Sequence, residues 1–173
     1  DPVENAALMP WLLTTALVHS IIVCEQRNEL KAWTILLSIL AFAFSLLGTF
    51  LVRSGIITSV HSFASDPKRG LFILFILIIA TLIPLTLFVL RSNLFKDEPK
   101  FNKISKESAL IFNNFILVIS AFIILLGTLY PLILEFITGT QITVGPPYFV
   151  TTLSPIMLIA LLFMGIGPLL LWK

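Results

Sequence analysis

The sequence predicts an all-α integral membrane protein, with about five transmembrane helices forming part of a larger polytopic bundle. Three observations carry this. The chain is 58% hydrophobic and only 12% charged, with a mean hydropathy of +1.05, whereas soluble domains hold about a quarter charged residues. Too few polar groups exist to cover the apolar surface, so the chain needs lipid as its solvent. Its charges cluster in short stretches between long uncharged runs. Two of those runs, Ala32–Val52 and Gly70–Leu90, are each 21 residues long, about 30 Å of helix and enough to cross a bilayer.

In order, residues 1–5 read as a polar turn, because Pro2 disfavours helix at Asp1. Spans are expected over residues 6–24, 32–52, 70–90, 108–130 and 156–172. Pro10 falls in the first turns of the first span, where a missing N–H is tolerated, and Pro84 is expected to kink the third. Between the second and third spans lies a polar island, 53–69, with His61 near its centre. Residues 91–107 form the most charged connection and read as a solvated linker with no glycine-rich phosphate cradle. Pro131 is expected to end the fourth span near Tyr130, leaving 132–155, with its Gly-Pro-Pro-Tyr, as a connector. Gly165, Gly167 and Pro168 interrupt the fifth span late. Asp1 is not an initiator and no signal peptide is visible, so the chain is expected to be one membrane domain of a longer protein.

The charges also predict sidedness. Residues 25–31, 91–107 and Lys173 fall on one face and hold eight of the eleven Lys and Arg residues. Arg53, Lys68 and Arg69 fall on the other. The positive-inside rule places the first face in the cytoplasm and Asp1, the island and the 132–155 connector outside. A four-residue echo links Leu47-Gly48-Thr49-Phe50 to Leu126-Gly127-Thr128-Leu129, each at the outer end of an ascending helix. With a single cysteine, Cys24, the chain has no internal disulfide, no CxxC pair and no c-type heme attachment motif.

The chain has two histidines. His19 comes eight residues after Trp11, about 12 Å along a helix, and shares a stripe with Trp11 and Thr15. An intramembrane ionisable group faces the protein interior and takes a partner, which here is either a neighbouring helix or a cofactor. His61 reads either as a solvated loop histidine or as a ligand. Ile57 and Val60 on the same helical turn would form an apolar ledge beside it, suited to a flat, metal-bearing group such as heme. Arg53, Lys68 and Arg69 could pair with propionates or with lipid headgroups. Glu135 and Cys24 read as interface residues.

Asp1-Pro2-Val3-Glu4-Asn5-Ala6 followed by Met9-Pro10-Trp11 resembles the tail of the tryptophan-rich WWD heme-handling motif. Gly48 to Gly55, Thr58-Ser-Val-His61, Phe63-Ala64, Asp66-Pro67 and Arg69-Gly-Leu-Phe72 are similar to the segment that follows that motif in the CcmF family of cytochrome c maturation proteins. Val144 to Phe149 and Gly165 to Leu169 fit the same pattern, so the resemblance covers essentially the whole chain.

The resemblance implies a membrane heme lyase component that holds heme and promotes its covalent attachment to apocytochrome c. It implies that His61 is an outward axial ligand to heme delivered by the heme chaperone CcmE. His19 would be an axial ligand of a buried b-type heme (heme b), with quinol as a possible electron donor. Asp1, Pro2, Glu4, Asn5, Trp11, Arg53 and Arg69 become candidates for heme or propionate contact. The second ligand of each heme lies outside this chain, so the chain alone is not expected to be active. Implied partners are CcmE, apocytochrome c, thiol-reducing and apocytochrome-binding subunits and the lipid membrane, with no nucleic acid. The implied location is the bacterial inner membrane, residue 1 end periplasmic, or the mitochondrial inner membrane. The alternatives are a heme transporter or exporter subunit and a structural assembly subunit.

Overall fold

The computed structural model describes residues 1–57, 66–95 and 104–172. Five helices account for most of them: α1 (Pro2–Arg27), α2 (Lys31–Ser54), α3 (Pro67–Leu90), α4 (Lys106–Thr138) and α5 (Pro146–Ile166). 3₁₀ turns follow at Ser92–Phe95 and Gly167–Leu169, and there is no strand among the described residues. All five helices are long and apolar enough to cross a membrane, as expected. They alternate in direction. The end holding the start of α1 is called upper, and the end holding the α1–α2 connection lower.

The helix boundaries correct several expectations, and proline explains most of them. Residues 1–5 are not a turn. Asp1 caps α1 by accepting the Val3 N–H at 2.8 Å, and Pro2 occupies the first turn, where its missing N–H costs nothing and its φ is already helical. Asp66 and Pro67 start α3 the same way, and Pro146 starts α5, so the Gly-Pro-Pro-Tyr stretch begins a helix. Conversely, Pro131 does not end α4 and Pro155 lies inside α5. Membrane helices tolerate interior proline because neighbouring groups and local adjustments satisfy the freed carbonyl. The connector expected over 132–155 therefore shrinks to 139–145. Gly139, with φ of 70°, closes α4 in the left-handed region that favours glycine.

At the lower end, Lys106 and Glu107 are not solvated linker but the first turn of α4, capped by Ser105. Glu107 is fully buried, and its Oε1 accepts a hydrogen bond from the Arg27 Nε at 2.6 Å. This pair ties the end of α1 to the start of α4.

The order of packing is not the order of the chain. α1 lies between α2 and α4, whereas α3 packs on α2 and α5 packs on α4. The core comprises Met9, Leu12, Leu13 and Ala16 of α1, Leu37, Ala41 and Phe44 of α2, and Leu117, Ala121 and Ile124 of α4. Phe44 meets Phe122 edge-on and Trp33 stacks on Phe115, so α2 and α4 also touch. α3 and α5 bury almost nothing but Gly70 and Ala160, respectively.

The two four-residue echoes do equivalent work. A Cβ on Gly48 would lie 2.6 Å from the Ala6 carbonyl oxygen, and one on Gly127 would lie 2.6 Å from the Tyr148 ring. Each glycine lets a neighbouring helix close in at the upper end. The following threonines, Thr49 and Thr128, bond back to the carbonyls of Ser45 and Ile124.

Candidate functional site

The helices frame cavities at both ends. The upper one, about 440 Å³, lies between the start of α1, the end of α4 and the short 139–145 connection. Asp1, Pro2 and Asn5 line it, with Ile57, Thr128, Glu135, Gln141 and Phe149. Its polar groups are largely paired with one another. Asn5 Nδ2 donates to Thr128 Oγ1 at 3.1 Å, and Gln141 Nε2 donates to Glu135 Oε1 at 2.7 Å.

Of the residues singled out in the sequence, the structure thus gathers Asp1, Pro2 and Asn5 into one wall. It adds Ile57, which is buried against that wall. Glu135 also belongs to it. Arg53 lies in a neighbouring cleft between α1 and α2, with Ala6, Pro10 and Gly48. Arg69 is well exposed and pairs with Asp66 at 3.2 Å, while the Asp66 N–H donates to the Arg53 carbonyl. Asp66 thereby ties the two ends of the island together. Glu4 is exposed. Trp11, 62% exposed, lines neither cavity and is not brought to a site. His61 and Val60 lie outside the described residues, as do Lys173 and much of the charged connection.

The lower cavity, about 250 Å³, lies between α1, α4 and the end of α5. Its walls include His19, Leu110, Asn113, Phe163 and Met164, and Lys106, Gly167 and Pro168 reach it from the lower end. It exists because Gly167 and Pro168 end α5 early. The chain then turns back, where the Lys106 N–H donates to the Leu171 carbonyl at 3.0 Å and the Lys106 ammonium sits over the Trp172 ring. Phe112 and Phe163, with ring centroids 4.5 Å apart, hold α4 and α5 together beside it.

Several buried polar atoms on α1 and α4 are not paired. His19 Nδ1, Asn113 Oδ1 and both amide atoms of Asn114 are buried without a hydrogen-bond partner. Buried polar groups are nearly always satisfied; of these side chains His19 and Asn113 line the cavity, and Asn114 lies fully buried on the same helix as Asn113. Sequence reasoning found His19 but missed the asparagines. The signal was present: Asn113-Asn114 is a polar doublet inside an apolar span, and such groups are costly in a membrane unless used. The donor set fits heme, which needs an axial imidazole and apolar walls. Among the described residues no group of three or more His, Cys, Asp or Glu could hold a bare metal ion.

The family model for Cytochrome C assembly protein matches residues 1–61. The chain is 53% identical over all its 173 residues to the cytochrome c-type biogenesis protein CycK of Bradyrhizobium diazoefficiens. It is 53% identical to CcmF of Pseudomonas aeruginosa over the same length and 48% identical to CcmF of Escherichia coli over 172 residues. It covers 26%, 26% and 27% of these relatives, about a quarter of their length. A solved structure titled cytochrome c heme lyase CcmF superimposes on the whole chain with a TM-score of 0.74 at 35% identity, matching 24% of that chain.

Proposed function

We infer, for a chain related over its whole length to the CcmF family of cytochrome c biogenesis proteins, that it forms the part of a membrane heme lyase that holds a buried b-type heme and presents the outward heme-handling loop. The observation that carries this reading is His19, an intramembrane imidazole lining a largely apolar cavity. Leu110, Phe163 and Met164 would cover an apolar ring face, and Lys106 at the lower mouth would face a carboxylate. A b-type heme bound there supplies a one-electron carrier.

The second heme is cargo, held outward by His61 after delivery by the chaperone CcmE and joined to the cysteine thiols of apocytochrome c through its vinyl groups. Thioether formation needs ferrous iron, reduced thiols and fixed orientation, so positioning is the main contribution of the protein. The charge distribution supports an orientation with the upper end outside the bacterial inner membrane. A phosphatase reporter placed in 139–145 should then be active, and one in 96–103 silent. The reverse pattern overturns the orientation.

The central test is made in the full-length protein. His19→Ala should abolish the dithionite-reduced b-type absorbance while the protein stays in the membrane, and full heme content would sink the assignment. His61→Ala should stop cytochrome c maturation and leave the b-type signal intact. Normal maturation when heme supply is limiting would return His61 to an ordinary loop residue.

A further inference from the structure

The Asn114 side chain is completely buried between α1 and α4. It lies next to the His19 ring, close enough to interact, yet neither of its amide atoms reaches hydrogen-bond geometry. His19 Nδ1 is sealed from solvent and equally unpartnered. A neutral imidazole carries one N–H and one lone pair, and the hydrogen bond made by one nitrogen decides which atom carries which. An amide oxygen can only accept, so an Asn114 Oδ1 turned toward the ring takes a proton held on Nδ1. The lone pair is then on Nε2. Two buried orphans, one a donor and one an acceptor, satisfy each other through this bond.

We propose that Asn114 is a positioning residue that accepts the Nδ1–H of His19, fixing the tautomer and ring orientation so that Nε2 presents its lone pair to the lower cavity as a heme ligand. The inference rests on the reading of His19 as that ligand. The amide acts through the imidazole and need not touch the heme. Outer-shell acceptors of this kind raise ligand basicity, and their loss typically weakens metal binding by about 10–100-fold.

Three variants of the full-length protein in isolated membranes test this, read by heme content, hemin titration and the midpoint potential of the b-type signal. Asn114→Leu keeps the bulk and removes the acceptor, so it should bind heme about 10–100-fold more weakly, with a raised midpoint potential in whatever heme remains. Asn114→Asp keeps an acceptor and makes it stronger, so it should retain heme with a potential below that of the parent. His19→Ala separates the two claims. If it keeps the b-type signal, the reading of His19 fails and the proposal falls with it. If it loses the signal while Asn114→Leu matches the parent in affinity and potential, the role of Asn114 alone is overturned. Should Asn114→Leu fail to accumulate, Asn114→Asp decides, and an unchanged potential there overturns the proposal.

Discussion

The two ends of this bundle are built from similar apolar helices, yet they treat their polar groups in opposite ways. At the upper end Asn5 bonds Thr128 and Gln141 bonds Glu135, so those parts of the wall are complete within the chain. At the lower end His19, Asn113 and Asn114 keep buried atoms unpaired. In an environment without water a missing hydrogen bond is expensive. The upper contacts therefore hold the fold, while the lower atoms, left as they stand, carry a cost. The difference separates the two ends more sharply than residue type does, since asparagine serves at both.

Substitutions can break or sharpen this contrast. The largest effect is expected for Gly127→Ala, which drives a Cβ to within 3 Å of the Tyr148 and Phe149 rings and should cost about 2–3 kcal/mol by overpacking. It would show as a lower midpoint in denaturation of the protein in detergent, and an unchanged midpoint would mean that α5 moves aside freely. Arg27→Ala should cost about 2 kcal/mol, less than a fully enclosed ion pair because Arg27 is partly exposed. A full restoration of stability by Glu107→Leu in that background would confirm that the cost comes from the buried carboxylate losing its Arg27 partner. Asn5→Ala removes a framework bond and should cost about 1 kcal/mol. Asn113→Leu, by contrast, replaces an orphan with an apolar group and should stabilise the heme-free protein by about 1 kcal/mol. Measuring the last two side by side is the direct test, because the comparison of the two ends fails if their signs agree.

Much of the bundle was legible in the sequence because lipid imposes a simple code, namely long uncharged runs separated by charged stretches. That code identifies α1 to α5 but says little about where a helix stops. Pro131 and Pro146 look alike as letters, yet one is an interior proline tolerated by membrane packing and the other starts a helix. A lone carboxylate beside lysines is normally wet, so the sequence places Glu107 in a solvated linker. Its burial depends on Arg27, 80 positions away, which no local pattern reveals. His19 could be picked out as an intramembrane imidazole. Its surroundings could not, since only the return of α4 to α1 places Asn114 beside it. The residues near Asp1 were singled out by resemblance, and the structure brings Asp1, Pro2 and Asn5 together with Glu135 while leaving Trp11 on the outside.

That return of α4 to α1 has a consequence for how the molecule is made. Synthesis delivers α1, α2 and α3 first, and they can form a row in the membrane in chain order. In that row one flank of α1, carrying His19, faces lipid. α4 must then come back past the earlier pair and dock on the far flank, and the end of α5 must follow before the lower cavity has all its walls. The compartment around His19 is thus the last part of this chain to come into being. A ribosome stalled before residue 106 would leave α1, α2 and α3 in their row with no cavity beside His19.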